Sequence, residues 1–374
     1  MTIDPLYERY LIQYQIRLKS KMISVTENAI ADLSAYLARY AKKFPDDFAT
    51  RITYINRMGI KTELQNQIDQ LSRDIAYLTR KGVEDSWELS VEKNNLITRE
   101  YVAGMTLKAG LTTTLFGNNQ GALVSYLENR SNISERVLNY TGVFQEQIEN
   151  YLSSGIIQGK SAREIARELT KIASDPMAEF KTLSKAFPEA ELSLGTPGSG
   201  VYQSVYANFM RIARTETNIA YRLSNYEKRK DAPHVVGMEV HLSDAHDIVD
   251  ICDAMEGSYP VEFVFCGWHP NCLCYEVDIL ADKDEFREWL RDGGEGDLNS
   301  RNEVDRIPLS AERYVLTHQD KFQNAYFYRD NFVNGQPMPI VGGARKDLQP
   351  YQLLPKEGNT REIERIIRNS FASK

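Results

Sequence analysis

Between residues 252 and 274 the chain gathers all four of its cysteines, and the stretch "CGWHPNCLC" (266–274) sets one of its five histidines among three of them. So many thiols in so short a span can be held by a disulfide, a metal ion, an active site or an ordinary packed core. The flanks narrow the choice of fold. "VVGMEVHLS" (235–243) alternates like a strand, and so does "CYEVDIL", where Tyr275, Val277 and Ile279 share a face. The two segments are expected to pair antiparallel. Residues 244 to 272 then loop out between two strand ends that lie side by side, and the Cys/His cluster sits in that loop.

A loop of this length with little apolar content lacks a core of its own, and one metal ion crossing it would supply the missing stability. Structural zinc takes four thiolate or imidazole ligands in a tetrahedron. The preferred set is His246, Cys252, His269 and one or both of Cys272 and Cys274, with Cys266 spare as a small buried hydrophobe. Asp250 and Asp253 are candidates to orient an imidazole from behind. A metal-free buried cluster and a Cys252–Cys272 disulfide stay open. The N-terminus, "MTIDPLYERYLIQ", lacks the pattern of a secretory signal, so a reducing cytosol is expected, where disulfides are rare.

Catalytic metal signatures are missing. Neither H-E-x-x-H nor the deaminase H-x-E…P-C-x-x-C pattern occurs. "WHPNC" is faintly similar to an HNH nuclease core, but His318 is the only later histidine and lies outside the cluster. "GIIQGKS" fails as a phosphate loop, having three residues between its glycines and a helix before it. A metal-dependent nuclease or effector enzyme is the alternative to a non-enzymatic, structural role. Net charge is −7 with no long basic block, which argues against DNA as the main partner while leaving a local patch open. No run of about 18 apolar residues appears, so no membrane span is expected.

The rest of the chain has helical period. Ile23, Ile30, Leu33, Leu37, Tyr40 and Phe44 recur before Pro45. Leu64, Ile68, Leu71, Ile75 and Leu78 recur before Gly82, which stands where a C-cap would. These narrow stripes suit an internal hairpin or a seam offered to another chain. "FGNNQG" (116–121) reads as a turn. Val137, Tyr140, Phe144, Ile148 and Tyr151 mark another helix that Gly155 would close, and Ser161 with Glu164 forms a capping box ahead of Ile165. After the linker "LGTPGSG" (194–200), Val205, Phe209, Ile212, Ile219, Leu223 and Tyr226 form a further face. Glu216 falls on that face. A buried carboxylate needs a partner, for which Arg214, Arg211 or a backbone amide could serve; a buried polar clasp is preferred to a catalytic carboxylate.

The expected fold class is mainly α with a small antiparallel β element. Its parts are a long-helix region over 1–115, a central domain over 116–280 and an extension over 281–374 with short helices and extended segments, including a last helix in "NTREIERIIRNSF". Within the central domain, helices occupy 134–230 and the Cys/His subdomain 235–280.

Four segments in order, "GIIQGKSAREIAREL", "RIARTETNIAYR", "HLSDAHDIVDICDAMEG" and "GWHPNCLCY", carry a resemblance to the phage Mu protein F-like (MuF) minor head protein family. It covers about residues 134 to 280. The terminal H-P-x-C-x-C signature is His269, Pro270, Cys272 and Cys274, with Cys252 and Gly257 upstream. Many relatives have C-x-x-C upstream; here Val249 stands at the first of those positions, so His246 or Asp250 would have to replace it in a four-ligand site. The resemblance implies a tailed-phage or prophage head morphogenesis protein, carried in the virion head and present in the host cytoplasm during assembly. It implies association with the portal protein and other head proteins and a part in genome packaging or ejection; no cofactor turnover is implied. Oligomerisation through the N-terminal helices is the further partner expectation.

Overall fold

The structure, a computed structural model, describes residues 3–43, 54–157, 168–169, 171–175, 202, 204–244, 246 and 248–338. The stop at Pro45, the capping box at Ser161, the linker 194–200 and the last helix lie outside the described residues. The described chain is mainly helical with a small antiparallel sheet, as the periodicity requires. Its elements are α1 (Ile3–Lys43), α2 (Tyr54–Tyr101), α3 (Ala109–Phe116), α4 (Gln120–Asn129), α5 (Ile133–Ile157), α6 (Val205–Arg229), β1 (Val235–His241), α7 (Ile251–Ala254), β2 (Gly257–Tyr259), β3 (Tyr275–Leu280), α8 (Lys283–Arg291), α9 (Leu309–Phe322), α10 (Tyr326–Asn331), β4 (Phe332–Val333) and β5 (Gln336–Pro337). No described helix is long and apolar enough to cross a membrane.

Two compact units divide these elements. A helical unit is drawn from Ile12–Val83 and Tyr126–Thr217, and a sheet unit from Met1–Leu11, Glu84–Ser125 and Asn218–Lys374. The division follows packing rather than the sequence segments 1–115, 116–280 and 281–374, since α1, α2, α4 and α6 each contribute to both units.

In the helical unit the periodic stripes are the buried ones. Leu33, Leu37, Leu64, Ile68, Leu71 and Ile75 are buried, as are all five marker residues of α5. The α1 stripe runs through Met22, with Ile23 only half-buried. Helix α2 does not stop at Gly82, and α5 continues past Gly155 to Ile157. A Cβ at Gly82 would lie 2.7 Å from Leu18 Cδ2 and 3.2 Å from Thr217 Cγ2. The glycine therefore serves close packing inside a continuous helix rather than its end. Ser72 and Thr141 hydroxyls meet at 2.7 Å in this unit's interior.

In the sheet unit β1 is central, pairing antiparallel with β3 on one side and β2 on the other. The expected β1–β3 pair is present, with Val240 opposite Glu276 and His241 opposite Tyr275. Glu276, not the Tyr275–Val277–Ile279 row, is the buried position. It is tolerated because Arg229, at the end of α6, donates to Glu276 Oε2 at 3.0 Å, with Asn225 Nδ2 on Oε1 at 2.8 Å. A carboxylate taken out of water needs such partners. Ser90 and Asn94 of α2 extend the same network through Asn225.

Candidate metal centre

The β1–β3 pairing sets the two ends of the 242–274 loop side by side, and α7 forms one wall of the site between them. Asp250 caps α7, its Oδ1 accepting from the Cys252 amide at 2.7 Å, while Asp253 Oδ2 accepts from the Asp250 amide at 2.9 Å. This reciprocal capping fixes a one-turn helix and points Cys252 into the interior. On the other wall the H-P-N-C turn closes with Asn271 in the left-handed region at φ 64° and a Cys272 N–H to His269 carbonyl bond of 3.1 Å.

These walls bring Cys252 Sγ within 3.2 Å of His269 Nε2 and 3.9 Å of Cys272 Sγ. Cys252, His269 and Cys272 form a cluster whose ligand atoms all lie within 4.8 Å of one another, and such a cluster can hold a metal ion. Cys274 is buried close by in the sequence but lies outside that 4.8 Å group. Cys252, Cys272 and Cys274 are almost fully buried, and His269 is about one-third exposed at 35%. All four cysteines are free thiols, so the Cys252–Cys272 disulfide is not formed. Cys266 is buried outside the cluster.

The remaining expected residues are placed differently. His246 Nε2 pairs with Asp253 Oδ2 at 2.8 Å, and it groups with Asp250 and Cys252 in a second, overlapping set within 4.8 Å. Asp250 Oδ2 lies 3.3 Å from His269 Nε2, the same nitrogen that faces Cys252. The other nitrogen, Nδ1, lies 2.8 Å from the Pro270 carbonyl. The group orienting His269 from behind is thus a backbone carbonyl, not either aspartate.

Two residues that the sequence reading passed over hold the cysteine loop in place. Arg222 Nη2 donates to the Cys272 carbonyl at 3.0 Å and also to that of Cys274, and Asn218 Nδ2 donates to the Cys272 carbonyl at 2.8 Å. Both lie on α6, four residues apart, in the helix that carries Glu216. That i, i+4 polar pair on an otherwise buried surface is the signal that could have revealed them. The Arg222 guanidinium also lies 4.7 Å from the centre of the Phe265 ring. It leaves no room at Gly267, where φ is +94° and a Cβ would fall 2.3 Å from Arg222 Nη1.

The electrostatics favour one thiolate in the cluster. Hydrogen bonds from Cys252 and Cys274 hold Cys272 well below the ordinary thiol range, and the Arg222 and His269 charges add to that. The same sharing pushes Cys252 and Cys274 up. Burial alone would lower His269, but the Asp250 carboxylate, Cys272 and the Pro270 carbonyl outweigh it and raise the imidazole to about 9. A cation entering the cluster would displace these protons.

Glu216 is buried in the helical unit, as its register predicts. Its partners are not Arg214 or Arg211. Arg136 of α5 pairs with Oε1, and the Tyr126 hydroxyl of α4 donates to Oε2 at 2.6 Å. Arg214 lies half-buried on the same helix, its charge disfavoured by burial.

No family model, curated protein or solved structure matches the chain.

Proposed function

We propose that this chain is a structural, non-catalytic minor head protein of a tailed phage or prophage, braced by one structural zinc ion and docking the portal protein and other head proteins. The zinc ligands in this reading are Cys252, His269, Cys272 and Cys274. A tetrahedron with zinc–sulfur bonds of about 2.3 Å has sulfur–sulfur edges of roughly 3.8 Å. The 3.9 Å between Cys252 and Cys272 fits that edge, and the 3.2 Å to His269 Nε2 is a few tenths of an ångström short of a sulfur–nitrogen edge of roughly 3.5 Å. With Nδ1–H donating to Pro270, Nε2 is left as the metal-binding nitrogen. Three thiolates and one imidazole leave the filled site one negative charge in excess, and buried Arg222 stands against it. Such a site is coordinatively closed, the form that metal takes in a brace rather than in a catalyst.

The single observation that carries the non-catalytic reading is the use made of the motif residues. In "RIARTETNIAYR", Glu216 is spent on Arg136 and Tyr126, and Asn218 and Arg222 on the cysteine loop. The cysteines of the H-P-x-C-x-C signature are turned inward. Residues used in this way hold a shape.

Elemental analysis of the purified chain is expected to give zinc bound through the Cys-rich set, lost in Cys272→Ser. Co-purification with a portal protein from the same genome is expected. Plasmid cleavage across a metal screen, abolished by His269→Ala, would overturn the reading in favour of a metal-dependent nuclease.

A further inference from the structure

Two ligand sets meet in the loop, and they share Cys252 and nothing else. One is Cys252, His269 and Cys272; the other is His246, Asp250 and Cys252, each with its ligand atoms within 4.8 Å of one another. Asp253 belongs beside the second set, since its Oδ2 is 2.8 Å from His246 Nε2. We propose that a second divalent cation binds between His246, Asp250 and Asp253, with the Cys252 sulfur bridging it to the first.

The donor chemistry defines the class of ion. One imidazole nitrogen, two carboxylates and a shared thiolate form a mixed N/O/S set, suited to zinc and to the borderline first-row dications rather than to magnesium or calcium. The His246–Asp253 distance needs little adjustment. A cation with bonds of about 2.1 Å spaces neighbouring nitrogen and oxygen ligands roughly 3.0–3.4 Å apart. His246 Nε2 and Asp253 Oδ2 stand a few tenths of an ångström closer, at 2.8 Å. Asp250 is already anchored through Oδ1 to the Cys252 amide, which leaves Oδ2 to face ligands. Both His246 and Asp253 are mostly buried, at 12% and 17% side-chain exposure, and open enough for an ion to enter. A thiolate bridging two metals holds them near the spacing of known two-metal sites, about 3.5–4 Å.

Charge favours the same arrangement. Arg222 serves the Cys272–Cys274 side of the cluster, through the carbonyls it binds there. Asp250 and Asp253 lie three residues apart on the other side, Asp253 against His246 and Asp250 against His269.

The site rests on the zinc reading, because Cys252 serves both ions. Metal-free protein titrated with Co²⁺ and then Zn²⁺ separates the two claims. The expected result is two equivalents per chain: the first with intense thiolate-to-cobalt absorption, the second weaker in affinity. His246→Ala should lower the affinity of the second equivalent at least tenfold and leave the first unchanged, with unaltered far-ultraviolet circular dichroism as the control for folding. The wild-type stoichiometry stands as a test even if that variant misfolds. One equivalent in the wild type overturns the second site and leaves the zinc reading intact; His246 and Asp253 are then a hydrogen bond within the α7 cap. No equivalent overturns both. Two equivalents undiminished in His246→Ala overturn the ligand assignment.

Discussion

His234 is a buried side chain whose titration makes folding of the sheet unit depend on pH. It lies just before β1, is 1% exposed, and stacks on Tyr101 at 5.0 Å and against Phe286 at 5.9 Å. Its Nε2 reaches Thr98 Oγ1 at only 3.5 Å. Burial, with Lys228 nearby, pushes its pKa down to about 4 from 6.5. The folded state therefore keeps this imidazole neutral in a range where the unfolded chain takes up a proton. The stabilisation is fully present above pH 6.5 and is lost as pH falls towards 4, in total about 3 kcal/mol by linkage. His234→Phe keeps the stack and removes the titration. Urea unfolding at pH 7 and pH 4.5 should show a smaller acid loss in the variant than in the wild type. Equal losses would mean that other groups dominate acid unfolding. The wild-type loss will also contain the titration of other groups, which is why the difference between the two proteins is the quantity to read.

At the scale of elements, α6 meets α4 and α5 through a buried clasp, and its two halves are unequally protected. Glu216 is 1% exposed, whereas the Arg136 side chain is 28% exposed. Arg136→Ala would strand a carboxylate with only Tyr126 left, at a cost of about 3 kcal/mol. Glu216→Leu would strand a guanidinium that can turn to water, and should cost clearly less. Denaturant unfolding of the two variants tests the order; equal or reversed costs would mean that the clasp is not what seats α6. The sequence alone shows that Glu216 is inward, because helical period is local. Its partner lies 80 residues away, and nothing local distinguishes Arg136 from Arg214. The same limit applies to β3, where alternation is visible but Arg229, 47 residues from Glu276, decides which face is buried. Gly82 misleads for a related reason. Glycine after an apolar stripe reads as a helix end, and only the tertiary approach of Leu18 shows that the missing Cβ is needed for packing. At the metal centre the inward cysteines and His269 were legible from spacing. The place of His246 beside Asp253 and the hold of Arg222 on the loop were not, since both depend on how α7 and α6 are brought to it.

For the whole molecule, the two compact units have different sources of stability. The helical unit is built on long apolar stripes with a few buried polar pairs, and the candidate metal ligands all belong to the sheet unit. Its three-stranded sheet is tied closely to the Cys/His loop: two residues separate the end of α7 from β2, and β3 begins at the residue after Cys274. If the proposed zinc braces the loop, removing it would loosen both outer strands at the ends nearest the loop. Hydrogen exchange with and without a zinc chelator should therefore show protection lost in β1–β3 and α7, while α5 amides exchange as before. Thermal unfolding of the chelated protein should broaden or split, since two units with separate stabilities no longer melt as one. Uniform loss of protection over α5 and the sheet would show one cooperative body. Unchanged protection everywhere would show that hydrogen bonds from Asn218 and Arg222 hold the loop without a metal, and the brace would then be polypeptide alone.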